Sequence, residues 1–283
     1  MDISSVGIIG AGTMGNGIAQ VCAAAGLNVV MVDISDEALR RGVTAISDSL
    51  DRMVKKQKLT SAEKQEILGR INTTTHYSDL SAVDLAIEAA TESEALKLRI
   101  LKEIDAVVST QATIATNTSS ISITKLAAST NHPDRVIGTH FFNPVPLMEL
   151  VELIRGVQTS DETLQRVKAF VKMIGKTSIV AKNSPGFAVN RILCPMINEA
   201  VFALQEGLAT AEDIDNGMKL GANQPIGPLA LADLIGLDTM LAVMDVFYQG
   251  FNDPKYRPAP LLREMVDAGY LGRKSGRGFY QYD

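Results

Sequence analysis

The chain has 283 residues, enough for one large domain or two and for a core that needs neither metal nor disulfide support. Hydrophobic residues make up 46% and charged residues 21%, which excludes a mostly disordered chain. A formal charge of -5 leaves no broad cationic field to recruit nucleic acid.

Residues 5–10, SVGIIG, read as a short buried strand. AGTMGNGIAQVCAAAG follows, helix-compatible from Ile18 to Ala25, with Gly26 as its stop. LNVVMVD at 27–33 is a second strand, and a helix begins near Ser35. Strand, tight turn, helix and strand within about 30 residues form a parallel βαβ unit. From Asp36 to Gly69 the pattern predicts two helices with a break near Leu59–Ser61, where Thr60 and Glu63 have capping-box spacing.

Strands resume with VDLAIEAA at 83–90, followed by a charged helix from Glu92 to Val108. TIATNT at 113–118, a helix near Ile123–Ser129, RVIGTHFF at 135–142 and MELVELI at 148–154 come next. A helix from Asp161 to Ile174 precedes KTSIVA at 176–181. This alternation predicts an α/β, doubly wound, Rossmann-like sheet, mostly parallel, with room for antiparallel final strands. The texture changes at Asn183–Ser184–Pro185–Gly186. Beyond it the pattern predicts helices over Phe187–Glu206, Ala211–Leu220, Leu229–Phe247 and Pro260–Ala268, with Gly207 and Gly250 as helix ends. The expected division is residues 1–184, with a helical arm near 36–70, and a smaller all-helical domain at 185–283.

Cys22 and Cys194, the only cysteines, lie in apolar helix-like sequence and fit two buried thiols better than a disulfide. No Cys/His spacing suits structural zinc, so no metal is expected. Neither a signal-peptide pattern nor an 18-residue apolar span is present, so a cytoplasmic, reducing setting is the expectation.

Gly10–Ala11–Gly12–Thr13–Met14–Gly15 has dinucleotide-fingerprint spacing. Gly10 suits the tight turn, Gly12 the approach of a pyrophosphate and Gly15 close helix–strand packing. Alone this motif is weak. Here it follows a strand, opens a helix and is followed by Asp33 at the end of the next strand. A carboxylate there accepts from an adenosine ribose diol and repels the extra phosphate of NADP, so NAD is the expected cofactor. No extended flavin-domain pattern argues for FAD.

Of the three histidines, His76 and His132 sit in polar turn sequence and read as surface or capping residues. His140 leaves a strand for FFNPVP, where a polar side chain faces the crevice beyond a parallel sheet. Glu152 lies on the next strand, and Pro144 and Pro146 suit a turn returning the chain beside His140. A His–Glu pair fixes one imidazole nitrogen and leaves the other to act as a base; a structural histidine is the alternative. Ser119 and Ser120 either bind substrate or begin the next helix. Asn190 either reaches back over the crevice or is exposed. Arg52, Lys55, Lys56 and Lys58 form either a wet helix face or a patch for a phosphorylated ligand.

These segments together resemble the short, two-domain 3-hydroxyacyl-CoA dehydrogenases, especially the bacterial 3-hydroxybutyryl-CoA dehydrogenases. The resemblance spans essentially the whole chain. It rests on VGIIGAGTMGNGIA, IEAATE, NTSS, HFFNPVPLMELVE, KNSPGFAVNRIL, GPLALADLIGLD and LGRKSGRGFYQY. It implies reversible oxidation at C3 of an acyl-CoA, with His140 as acid/base and Glu152 as its partner. It implies active-site or substrate contacts from Ser119, Asn143 and Asn190. It places Asp33 at the adenosine ribose and Glu92 and Lys97 around the nicotinamide cofactor. It assigns Arg52, Lys55 and Lys56 to the CoA portion, and a homodimer interface to the C-terminal helices. No region of a fused hydratase–dehydrogenase is seen, so a free-standing enzyme is expected. A broader-chain 3-hydroxyacyl-CoA dehydrogenase and a non-catalytic dinucleotide- or CoA-binding regulator are the alternatives.

Overall fold

The computed structural model describes residues 3–282. The chain forms two compact units, Met1–Asn183 and Ser184–Asp283.

The first unit begins with β1 (Ser5–Ile9), α1 (Thr13–Ala24) and β2 (Asn28–Val32). Gly10 adopts φ 107° at the turn out of β1, and Gly26, at φ 89°, lies just beyond the end of α1. The arm is α2 (Asp36–Lys55) and α3 (Ser61–Gly69). Ser35 Oγ accepts the Ala38 N–H at the start of α2, and Thr60 with Glu63 closes a reciprocal capping box on α3. Then follow β3 (Ile71–Thr74), β4 (Leu85–Glu88), α4 (Glu94–Val107), β5 (Thr113–Thr116) and α5 (Ile123–Ala127). The unit ends with β6 (Val136–Phe141), β7 (Leu150–Arg155), α6 (Asp161–Met173) and β8 (Thr177–Lys182).

The eight strands form one sheet in the order β3-β2-β1-β4-β5-β6-β7-β8. Strands β1 to β6 are parallel, and β7 and β8 run against them. Successive side chains of β1 serve opposite faces. Ile8 joins Ile18, Ile46 and Phe170 under α1, α2 and α6, whereas Ile9 joins Leu101, Ile104 and Leu126 under α4 and α5. Strand β3 escapes sequence reading because its four residues, INTT, carry one apolar side chain. It is held by its parallel ladder to β2 at the sheet edge, an interaction without a local pattern.

The second unit is helical: α7 (Val189–Gln205), α8 (Ala211–Gly221), α9 (Pro228–Ile235), α10 (Leu237–Phe251) and α11 (Pro260–Asp267). Two expectations fail here. The helix expected over Leu229–Phe247 is two helices, because Gly236 takes φ 101° and breaks the run. Gly250 does not end a helix but lies inside α10, where a Cβ would come 2.7 Å from Pro185 Cγ. The C-terminal segment is clasped to this unit by two buried carboxylates. Asp233 accepts from the Phe279 and Tyr280 N–H groups and the Tyr282 hydroxyl, and Asp215 accepts from the Tyr280 hydroxyl.

Candidate active site

In a sheet of this topology, the neighbours of β1 lead to connections on opposite sides, and a crevice opens beyond the strand ends. A cavity of about 540 Å³ lies there, lined by Gly10, Gly12, Asp33, Ile34, Arg41 and Ala90 among others. The glycine loop has the shape a dinucleotide pyrophosphate requires. A Cβ on Gly15 would overlap the Gly10 carbonyl oxygen, and one on Gly10 would lie 2.8 Å from Ala89 O. Gly12 has nothing within 4 Å of a Cβ position, so its open side admits a ligand against the backbone. Ala11 and Thr13 also line the cavity, whereas Met14 packs against the core beneath α1.

Asp33 has two tasks in this loop. Its Oδ2 accepts the Ala11 N–H at 2.7 Å and its Oδ1 accepts the Ile34 N–H at 2.7 Å. The carboxylate therefore ties the glycine loop to the end of β2 while facing the cavity. Each oxygen retains acceptor capacity for a ribose hydroxyl.

His140 and Glu152 are register partners on the antiparallel β6–β7 pair. Nδ1 of His140 lies 2.7 Å from Oε2 of Glu152, and Glu152 is fully buried. His140 is 7% exposed, with its ring 4.6 Å from that of Phe142. His76 and His132, by contrast, precede short 3₁₀ turns at Tyr77–Leu80 and Pro133–Arg135.

Ser119 and Ser120 do not begin the next helix, since the cap of α5 is Ser122, whose Oγ accepts the Lys125 N–H. Both wrap Glu92 instead. Oε1 of Glu92 accepts the N–H groups of Ser119 and Ser120 and their hydroxyls, together with the Thr118 hydroxyl at 2.6 Å. Burial works to raise the Glu92 carboxyl, but Lys97 and these donors hold it below its ordinary value.

Lys97 is buried and is not itself a lining residue of the cavity, but its side chain reaches the backbone of one, Ala90. Its ammonium bonds Glu88 at 2.7 Å and Ala90 O at 3.0 Å, and lies 3.4 Å from Glu92. Sequence reading passed over Glu88, which is fully buried at the end of β4 and accepts also from Ala90 N and the Thr116 hydroxyl. It also passed over Asn117, whose Oδ1 accepts the Phe141 N–H beside His140. An acidic residue ending an apolar strand was the available signal for Glu88. A continuous polar chain thus runs from Ser119 through Glu92 and Lys97 to Glu88 and the Ala90 backbone.

Asn143 is exposed in the loop after β6. Arg52 and Lys55 lie in the last turn of α2 with Lys56 just beyond; all three are exposed and outside the cavity lining. Asn190 lies in the first turn of α7, in the second unit. Cys22 and Cys194 are buried, and burial pushes each thiol up to about 12, too high for a nucleophile. Among the described residues no group of three or more His, Cys, Asp or Glu is arranged to hold a metal, and no helix is long and apolar enough to cross a membrane.

Comparison with known proteins joins the two units. Residues 5–184 match the family profile "3-hydroxyacyl-CoA dehydrogenase, NAD binding domain", and residues 186–282 match "3-hydroxyacyl-CoA dehydrogenase, C-terminal domain". The chain is 53% identical to 3-hydroxybutyryl-CoA dehydrogenase of Bradyrhizobium diazoefficiens over 99% of this chain and 96% of that one. It is similar, at 67% identity and a TM-score of 0.98, to the crystal structure of (S)-3-hydroxybutyryl-CoA dehydrogenase from Ralstonia eutropha, with both chains covered completely. Another solved structure, 3-hydroxybutyryl-CoA dehydrogenase from Escherichia coli, is 40% identical with a TM-score of 0.97, covering 100% of this chain and 60% of that one.

Proposed function

The chain belongs to the 3-hydroxyacyl-CoA dehydrogenase family, and we propose that it interconverts (S)-3-hydroxybutyryl-CoA and acetoacetyl-CoA with NAD as cofactor. The observation that carries the chemistry is the His140–Glu152 pair, set at the same sheet edge as a cleft shaped for a dinucleotide.

In oxidation, His140 takes the proton of the C3 hydroxyl on Nε2, since Nδ1 faces Glu152. Glu152 orients the ring and stabilises its positive form. NAD, when bound, supplies the acceptor for the hydride that leaves C3. In reduction, protonated His140 returns the proton to the oxygen. Gly10 to Gly15 and Asp33 hold the cofactor, and Glu92 and Lys97 brace the backbone beside it. Ser119, Asn143 and Asn190 are the proposed polar contacts to substrate. The hydroxyl of Ser119 donates to Glu92 at 3.2 Å in this structure, and to support the C3 oxygen as His140 takes its proton it must turn to donate to that oxygen instead. Arg52, Lys55 and Lys56 supply exposed positive charge for the CoA phosphates.

The second unit is the proposed substrate-binding and dimerisation part. Ile192, Leu208 and Leu220 give it large exposed apolar side chains, which a homodimer interface would cover. Light scattering over a concentration series checks this, and a protein that stays monomeric at every concentration contradicts it. Two buried free thiols and an unremarkable surface charge support a cytoplasmic setting without nucleic-acid binding.

The test of the substrate is kcat/KM for reduction of 3-ketoacyl-CoA thioesters of increasing chain length, with NADH. A maximum at four carbons supports the proposal. A maximum at eight or more carbons replaces it with a broader-chain enzyme that keeps the same acid/base pair. Chiral analysis of the four-carbon product reports the stereochemistry in the same assay.

A further inference from the structure

Helix α2 faces the adenosine end of the cleft with a stripe of Ala38, Arg41, Gly42 and Ala45, which all line the cavity. Three of these are small, and the helix packs closely there: a Cβ on Gly42 would lie 2.9 Å from Ala11 O and 3.0 Å from Ala11 Cβ. Arg41 is the one long side chain of the stripe and the only cation in that lining. Its Nη1 lies 2.5 Å from Oε1 of Glu37, one turn earlier on the same helix. Arg41 and Ala45 are shared with an adjoining hollow of about 370 Å³, whose other lining residues include Arg40, Glu37 and Asp48.

Arg41 lines the same cavity as Asp33, the residue proposed to hold the cofactor ribose, and an arginine near such an acid is what accommodates a 2′-phosphate in folds of this kind. A phosphate there requires an arginine with donors to spare. Arg41 is the residue in place for that task, but Glu37 engages its Nη1 and partly offsets its charge.

We propose that Glu37 is a cofactor-selectivity residue: by pairing with Arg41 it withholds the one cation positioned to receive a 2′-phosphate, and so reinforces the exclusion of NADP begun by Asp33. The inference rests on the NAD assignment above. It adds that the exclusion is a two-carboxylate device and that a latent 2′-phosphate contact lies beneath it. Both partners of the pair are 70% exposed, so the effect is modest and screened by salt.

The experiment is fluorescence titration of NADH and NADPH onto wild type, E37Q, R41A and E37Q/R41A, at low and high salt. The readout is the ratio of the NADPH Kd to the NADH Kd, which requires no turnover. In E37Q this ratio is expected to fall about twofold at low salt and less at high salt. In the R41A background, E37Q is expected to leave the ratio where R41A alone sets it. An unchanged ratio in E37Q overturns the proposal, as does a fall that survives removal of Arg41, since Glu37 would then act by simple repulsion. Wild-type protein that fails to bind NADH fails the cofactor assignment itself, which separates that outcome from the others.

Discussion

His140 and Glu152 stand directly opposite each other on adjacent antiparallel strands, with Nδ1 and Oε2 2.7 Å apart. Twelve residues separate them in sequence, but the register of β6 and β7 makes them cross-strand neighbours on one face of the sheet. Side chains so placed are held by two backbones rather than by a loop, and little freedom is left to lose when a substrate arrives.

The first prediction follows from that pair. H140A is expected to lower kcat about 10²- to 10⁴-fold, the usual contribution of a general acid/base. NADH affinity should stay close to wild type, because the cofactor cavity is lined by other residues. E152Q should lose activity while keeping its circular dichroism spectrum and melting temperature near wild type. Wild-type turnover in H140A would reject the acid/base assignment.

Asp33 gives a second prediction because it serves both ligand and loop. D33A removes the ribose acceptor and leaves the Ala11 N–H without its carboxylate. The NADH Kd should rise about 10- to 100-fold, the range for loss of a hydrogen bond to a charged group. D33N, which keeps an acceptor for Ala11, should fall between wild type and D33A. Titration of NADH fluorescence measures all three, and a D33A affinity equal to wild type would remove Asp33 from the cofactor site.

A third expectation concerns the buried Glu88–Lys97 pair. K97M leaves the fully buried Glu88 carboxylate with only the Ala90 N–H and the Thr116 hydroxyl. Breaking a buried pair from one side costs about 3–5 kcal/mol. E88Q in the K97M background should restore part of that, because the uncompensated charge is gone. Urea unfolding of the single and double variants checks both statements, and a K97M midpoint equal to wild type would contradict them.

Acid sensitivity provides the fourth. Burial works to raise the Asp105 carboxyl, but the Asn131 N–H and Arg135 hold it below its ordinary value of 3.8. A carboxyl lowered on folding stabilises the native state above its unfolded pKa, and that contribution disappears as pH falls through the folded value. D105N should therefore be less stable than wild type at neutral pH, and the gap should narrow below pH 3.8. Urea midpoints across pH measure the gap, and one that stays constant below that pH would refute the linkage.

Much of this protein was legible in its sequence because the signals were local. The βαβ start, the glycine loop, Asp33 and the Thr60–Glu63 cap each depend on residues within one or two elements, where hydrophobic period and capping chemistry act. His140 and Glu152 stood out because a histidine and a glutamate interrupt apolar strands on either side of a proline-bearing turn. The sequence by itself also carried the family resemblance, which the matches to both family profiles bear out.

Only the tertiary structure decided the rest. Strand β3 exists through its ladder to β2, and Gly250 is a packing glycine within α10, where a Cβ would crowd Pro185, rather than a helix end. The long helix expected after residue 228 breaks at Gly236, whose positive φ is a property of the packed turn. The chain Ser119–Glu92–Lys97–Glu88 joins residues from the ends of β4 and β5 and from α4. The family resemblance set Glu92 and Lys97 near the cofactor, but nothing in the sequence linked them to each other, to Glu88 or to Ser119. What makes them a unit is burial: once Lys97 and Glu88 leave water, each must find its partner inside the protein, and only the folded sheet brings those partners within reach.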